Sequence, residues 1–237
     1  LTGDREKDTR RVTYFIFITT VSILSLTVAM FYYVIRDPEI RKVLIVLDTV
    51  YAGIFFIDFI LRLRAIEDRR KYILTWGWLD LVTCIPGIPG LRIIRSILII
   101  RDSRKIFSVT PQEISDQARE RLAESVLYIT VVIGLLVITV GSVLIVWVEA
   151  DALGAEITTG YDAIWWSLVT VSTVGYGDEY PVTQRGRVIG VFMIFVGVAL
   201  FTTITSYLAS KFTDFEARKQ RKEQLKLAHK NARHMEE

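Results

Sequence analysis

Three stretches of this chain run without a single charged residue. Residues 12–35 give 24 such positions in a row, residues 125–148 another 24, and residues 188–210 a further 23. An α-helix rises about 1.5 Å per residue, so each stretch is long enough to cross about 30 Å of hydrocarbon. The 237 residues are 51% hydrophobic with a mean hydropathy of +0.38. One water-soluble core of that size cannot enclose so much apolar surface. Three further apolar segments carry isolated charges: residues 43–61 with Asp48 and Asp58, residues 72–85 with Asp80, and residues 91–107 with Arg92, Arg95, Arg101, Asp102, Arg104 and Lys105. Charge at membrane depth is costly and usually marks function. The expected fold is an all-α membrane protein with six spanning helices.

The stretch 157–172 is too short to span. It leads directly into Thr173, Val174, Gly175, Tyr176, Gly177 and Asp178. Irregular backbone at membrane depth survives only when protein shields it or it lines a wet cavity. A half-helix over about 161–172 with an extended return at 173–178 is therefore expected. Loop charge sets the orientation. Arg62, Arg64, Arg69, Arg70 and Lys71 follow the second helix, and the tail beyond residue 211 is rich in Lys and Arg. Residues 149–162 instead hold four acids and no Lys or Arg. Both termini, residues 1–11 and the tail helix 211–237, are expected in the cytoplasm of a multi-pass cell-membrane protein. The loop 36–42 is discordant, with three basic residues on the outer side. The net charge of +3 gives no general affinity for nucleic acid, and the single Cys84 excludes an intrachain disulfide. The first apolar run is too long for a signal core, and an opening Leu1 points to a trimmed N-terminus.

Thr173 to Gly177 reads as an ion-selectivity filter. A dehydrated potassium ion needs a cage of oxygens. One backbone strand supplies them if successive carbonyls point the same way, which requires left-handed dihedrals that Gly175 and Gly177 tolerate. The potassium-binding positions are then Thr173, Val174, Gly175 and Tyr176. Thr173 adds a hydroxyl, Tyr176 packs its ring toward the pore helix, and Asp178 makes the mouth acidic. The chain holds one copy and the cage needs four, so a homotetramer follows. Gly197, midway along the last helix, is a candidate gate hinge, with close helix packing as the competing explanation.

Arg92, Arg95, Arg101 and Arg104 lie on a three-residue grid with Leu98 in the missing place. Such a spacing forms a basic stripe along a helix. A basic helix lying on the membrane surface shows the same pattern, but the apolar pairs between the arginines and the neighbouring acids favour a buried one. Asp48, Phe55, Asp58 and Arg62 lie at i, i+7, i+10 and i+14 of the second helix, near one face, and Asp80 follows in the third. The arginines supply the cations that these acids need, and Phe55 forms a septum between them. Static ion pairs holding a bundle are the competing account. If the stripe moves, Arg92 and Arg95 sweep past Phe55, while Arg101 and Arg104 pair with Asp58 and Asp80 in one position.

From residue 12 to about 215 the chain resembles a voltage-gated potassium channel. The acid–Phe–acid spacing resembles that family's charge-transfer centre (Asp48, Phe55, Asp58 and Asp80). Residues 80–86 resemble its third helix, and 163–178 its pore helix and filter. The resemblance implies a voltage-sensor domain at 12–107 (helices about 12–35, 43–61, 72–85 and 91–107). It implies a linker at 108–124 and a pore domain at 125–210 (outer helix 125–148, inner helix 188–210). It implies filter support from Trp165, Trp166 and Asp178, with Trp165 bonded to Asp178, and gating charges at Arg92, Arg95, Arg101 and Arg104. It implies no enzymatic activity and no cofactor, with potassium as the permeant ligand. The chain departs from many animal members in lacking Pro-x-Pro in the last helix, and Gly197 instead resembles prokaryotic members. The alternatives are a hyperpolarisation-activated or cyclic-nucleotide-type cation channel lacking its C-terminal domain, a potassium-uptake transporter and a non-conducting sensor subunit.

Overall fold

The structure is a computed structural model and describes residues 2–66, 68–103 and 122–236. Every regular element among them is helical. Helix α1 spans Thr2–Val34 and α2 spans Pro38–Ala65. The break between them has a local cause. Pro38 disfavours helical backbone at Asp37, and the Asp37 carboxylate accepts from the Glu39 and Ile40 amides at 2.9 Å each, capping α2. Helix α2 thus starts well before the expected residue 43.

The third segment differs most from expectation. Over residues 72–85 one helix was predicted. The structure has a short α3 (Arg69–Tyr72), a π turn (Ile73–Gly77) and α4 (Trp78–Val82). Pro86 ends it, and Gly87 turns the chain with φ +79°. Helix α5 (Leu91–Ser103) carries Arg92, Arg95 and Arg101. Arg104 and most of the 108–124 linker lie outside the described residues. Helix α6 spans Leu122–Glu149, α7 Gly160–Val171 and α8 Gln184–Glu236. The expected inner helix and tail helix are one continuous element.

Four helices among the described residues are long and apolar enough to span: Thr13–Val34, Pro38–Arg64, Glu124–Glu149 and Gln184–Arg221. The third and fourth expected spans fall short because a π turn divides one, which ends at Val82, and the described part of the other ends at Ser103. Among the described residues a buried core cluster runs from Val21, Val28, Leu44, Tyr51 and Phe55 in α1 and α2 to Ile145, Ala163, Trp166 and Met193 in α6, α7 and α8. Phe31, Ile97, Leu136, Phe192 and Phe195 lie on the outside. Exposed apolar surface on that scale suits hydrocarbon, not water.

Candidate functional site

The N-terminus of α7 is held on both sides. Thr159 Oγ1 accepts from the Asp162 amide at 3.2 Å, and Asp162 Oδ2 accepts from the Thr159 amide at 2.7 Å, a reciprocal capping box. Burial raises the Asp162 carboxyl, but the amides and hydroxyls of Thr158 and Thr159 outweigh it, leaving the group below its ordinary range. From α2, Glu39 Oε2 accepts from the Gly160 amide at 3.0 Å. A Cβ on Gly160 would run into the Glu39 carbonyl, so only glycine permits this approach. The other end of α7 points its carbonyls, the negative pole of the helix, toward the start of the 173–178 segment. The Thr173 amide donates to the Thr170 carbonyl at 3.1 Å, and the Val174 amide to the Val169 carbonyl at 3.1 Å. Beyond them φ is positive at every second residue: Thr173 (+61°), Gly175 (+60°) and Gly177 (+76°). Glycine at 175 and 177 was expected to carry this alternation. Thr173 shares it, at a conformation that side chains other than glycine rarely adopt.

Behind that segment, Trp165 Nε1 donates to Asp178 Oδ2 at 2.8 Å, and the Trp165 and Tyr176 rings stack at 5.7 Å, nearly parallel. Trp166, one residue on, is buried and faces Gly190 of α8. Glu149 was not singled out by sequence. It is fully buried at the end of α6. Its two oxygens accept from the Val182 amide (2.9 Å), the Thr183 amide (3.0 Å) and the Thr183 hydroxyl (2.5 Å), which ties α6 to the start of α8. Gly186 leaves the room, since a Cβ there would strike the carboxylate. The only sequence signal was one acid closing a charge-free run. In the same loop burial, followed by the negative charges of Asp162, Asp178 and Glu156, pushes the Glu179 carboxyl up to about 7. Gly197 lies within an unbroken α8, where the Val171 backbone would approach a Cβ to 2.8 Å.

A second constellation fills the space between α1, α2, α4 and α5. Arg92 Nε lies 2.6 Å from Asp48 Oδ1 and its Nη2 lies 2.9 Å from Oδ2, with Nη1 donating to the Thr83 carbonyl. Arg95 pairs with Asp80 Oδ1 at 2.9 Å and with Asp58 Oδ2. The Phe55 ring sits between the two guanidiniums, with its centroid 5.7 Å from Arg92 Cζ and 4.8 Å from Arg95 Cζ. All six of these side chains are buried. Asp58 also accepts from Arg62 Nε (3.1 Å) and the Tyr14 hydroxyl (2.9 Å), and Asp80 accepts from the Tyr72 hydroxyl (2.5 Å). The expected pairing of Asp58 and Asp80 with Arg101 and Arg104 concerned one position of a moving stripe. Here Arg95 holds both, because α4 brings Asp80 to the height of Asp58. The Arg101 side chain and Arg104 lie outside the described residues. Tyr14 and Tyr72 were missed; a tyrosine in an apolar helix carries no signal until its partner is placed.

Charged groups buried among long apolar helices, together with the short helix α7 and the irregular return after it, fit an all-α, multi-pass membrane protein of the channel type. The chain belongs to the ion transport protein family, which it matches over residues 10–220. Within that family it is similar to voltage-gated potassium channels. A voltage-gated potassium channel of Aeropyrum pernix is 35% identical over 33% of this chain and 26% of its own length. A calcium-gated potassium channel of Thermoplasma volcanium is 33% identical over 41% of this chain and 27% of its own length. The potassium voltage-gated channel subfamily KQT member 1 of Squalus acanthias is 28% identical over 76% of this chain and 32% of its own length. The chain thus spans about a third or less of the length of these relatives.

Proposed function

We propose that four copies of this chain form a voltage-gated, potassium-selective pore in the cell membrane. The observation that carries the reading is the positive φ at Thr173, Gly175 and Gly177 directly after the half-helix α7. Backbone of alternating hand turns successive carbonyls toward one side, and four such strands around an axis replace the hydration shell of potassium. Thr173, Val174, Gly175 and Tyr176 line the ion sites, and Trp165, Trp166 and Asp178 brace them. Residues 12–107 form the sensor from four membrane helices, with both chain termini cytoplasmic. Arg92, Arg95, Arg101 and Arg104 carry the gating charge past Phe55 and the acids Asp48, Asp58 and Asp80. Gly197 is the bending point of the inner helix. Potassium is the permeant ligand, and the reading needs no cofactor and no chemistry.

The test is a voltage-step recording of the purified protein in a planar bilayer under mixed potassium and sodium. Gly177→Ala places a Cβ on left-handed backbone, which costs about 1 kcal/mol or more. Potassium current, or its preference over sodium, should be lost. An unchanged reversal potential in that variant would refute the filter assignment.

A further inference from the structure

Asp80 places one carboxylate oxygen on Arg95 and the other on the Tyr72 hydroxyl. Tyr72 lies eight positions earlier on the same segment. Eight residues of regular α-helix rise about 12 Å and turn roughly 80° past alignment, so a regular helix sets two such residues apart. The π turn Ile73–Gly77 lies between them and changes that register. Gly77 belongs to the same arrangement, since a Cβ there would lie 3.0 Å from two Tyr72 ring atoms. Phe59 of α2 stacks on the Tyr72 ring at 6.5 Å. Three elements therefore aim one phenol at one buried carboxylate.

The arginine stripe of α5 is interrupted at the next grid position, where Leu98 stands between Arg95 and Arg101. With the start of α5 on the outer side, one grid step outward carries Leu98 to the acids that Arg95 now occupies. There it offers neither charge nor hydrogen bond. Asp58 keeps Arg62 and Tyr14 in that position. Asp80 keeps Tyr72. A buried carboxylate stripped of its cation is costly unless another donor holds it.

We propose that Tyr72 is a positioning residue of the sensor. It holds Asp80 through the step in which Leu98 passes and so sets the rate at which α5 moves between its Arg95-paired and Arg101-paired positions. The inference rests on the voltage-sensing reading above.

Gating currents of the full chain test it. Tyr72→Phe removes one hydrogen bond to a charged group and should slow outward charge movement about tenfold, with total charge and ion selectivity unchanged. Tyr14→Phe should slow it less, because Asp58 retains Arg62. Leu98→Arg supplies the missing cation, and in that background Tyr72→Phe should leave the rate unaltered. Where Leu98→Arg does not assemble, Leu98→Gln, a hydrogen-bond donor, takes its place with the same expectation. Wild-type rates in Tyr72→Phe would overturn the proposal alone. Equal slowing with and without the change at 98 would also overturn it, leaving Tyr72 a purely structural residue. No gating current from the unaltered chain would overturn the voltage-sensing reading, and this proposal with it.

Discussion

Glu149 receives two amides and a hydroxyl from residues 33 and 34 positions later while showing no surface of its own. A carboxylate can accept all of them; an amide of the same size cannot, because its NH₂ would face N–H donors. Glu149→Gln should therefore lose a charge-assisted hydrogen bond of about 2 kcal/mol. For a chain of this size that lowers the melting temperature by about 5 °C, measurable by thermal unfolding in mild detergent. Glu149→Asp, which keeps the charge but shortens the reach, should fall between. Glu179 gives a second prediction at this scale. Its pKa is raised from 4.5 to about 7, so the folded chain holds a proton that the unfolded chain releases between those values. Folding stability thus declines as pH rises through that window. In the proposed orientation, with the loop outside, acidifying the outer solution from above to below pH 7 neutralises a carboxylate beside Asp178 and lowers the local cation concentration. Unitary current should fall with a midpoint near 7. Glu179→Gln should show the low-pH current throughout, and a midpoint retained in that variant would place the titrating group elsewhere.

The elements divide into those set by their own residues and those set by neighbours. Helix α7 has its N-terminus defined by a capping box within five residues, and α2 starts at an Asp–Pro pair. Both starts rest on short local signals, yet the expected α2 began at residue 43, because that expectation followed the apolar run and not the Asp–Pro cap. The α3–π–α4 segment was not readable in this way. Its apolar run predicts one helix, and the π turn falls between Tyr72 and Asp80, which meet across it. Helix α5 carries the charge that the proposed voltage response would move. One elementary charge crossing 100 mV is worth about 2.3 kcal/mol. If roughly three or four arginines per subunit share the field, Arg92→Gln and Arg95→Gln should each make the conductance–voltage curve about a quarter shallower. Asp58→Asn should shift the midpoint, because it weakens a pair that only some positions of α5 can make. Slopes matching the unaltered chain in both arginine variants would leave α5 a static, ion-paired helix.

At the scale of the molecule, the two halves share one core within the chain. Tyr51 of α2 meets Thr139 of α6 at 3.1 Å, Phe17 of α1 stacks on Tyr128 at 4.8 Å, and Glu39 binds the start of α7. These contacts run along much of the length of α1 and α2, so those helices rest on α6 and α7 of their own chain while α5 packs on α1 and α4. Other apolar residues have no such cover among the described residues. Phe192, Phe195 and Phe201 of α8 and Val174 and Tyr176 of the 173–178 segment are exposed in the single chain. Assembly of four chains would cover them and complete the ion cage together. In mild detergent the full chain should show a mass four times 27.1 kDa. Stable monomers or dimers by mass measurement would count heavily against the filter reading.

Sequence alone determined what depends on neighbours a few residues apart. Uncharged runs specify spans because hydrocarbon penalises charge residue by residue. Gly175 and Gly177 specify backbone of alternating hand because only the absence of a Cβ makes it cheap. The Asp48–Phe55–Asp58 spacing specifies one face of α2 because helical period is local. Tertiary structure decided what depends on the height and rotation of one helix against another. It gave Asp58 and Asp80 to Arg95, placed Val171 against Gly197, set Glu149 under the start of α8, and aimed Tyr72 at Asp80. Each of these pairings joins separate elements or crosses a π turn, and a shift of one residue in register would change every partner. Periodicity fixes a residue's face on its helix but not the level at which it meets a neighbour, and that level is set only when the helices pack.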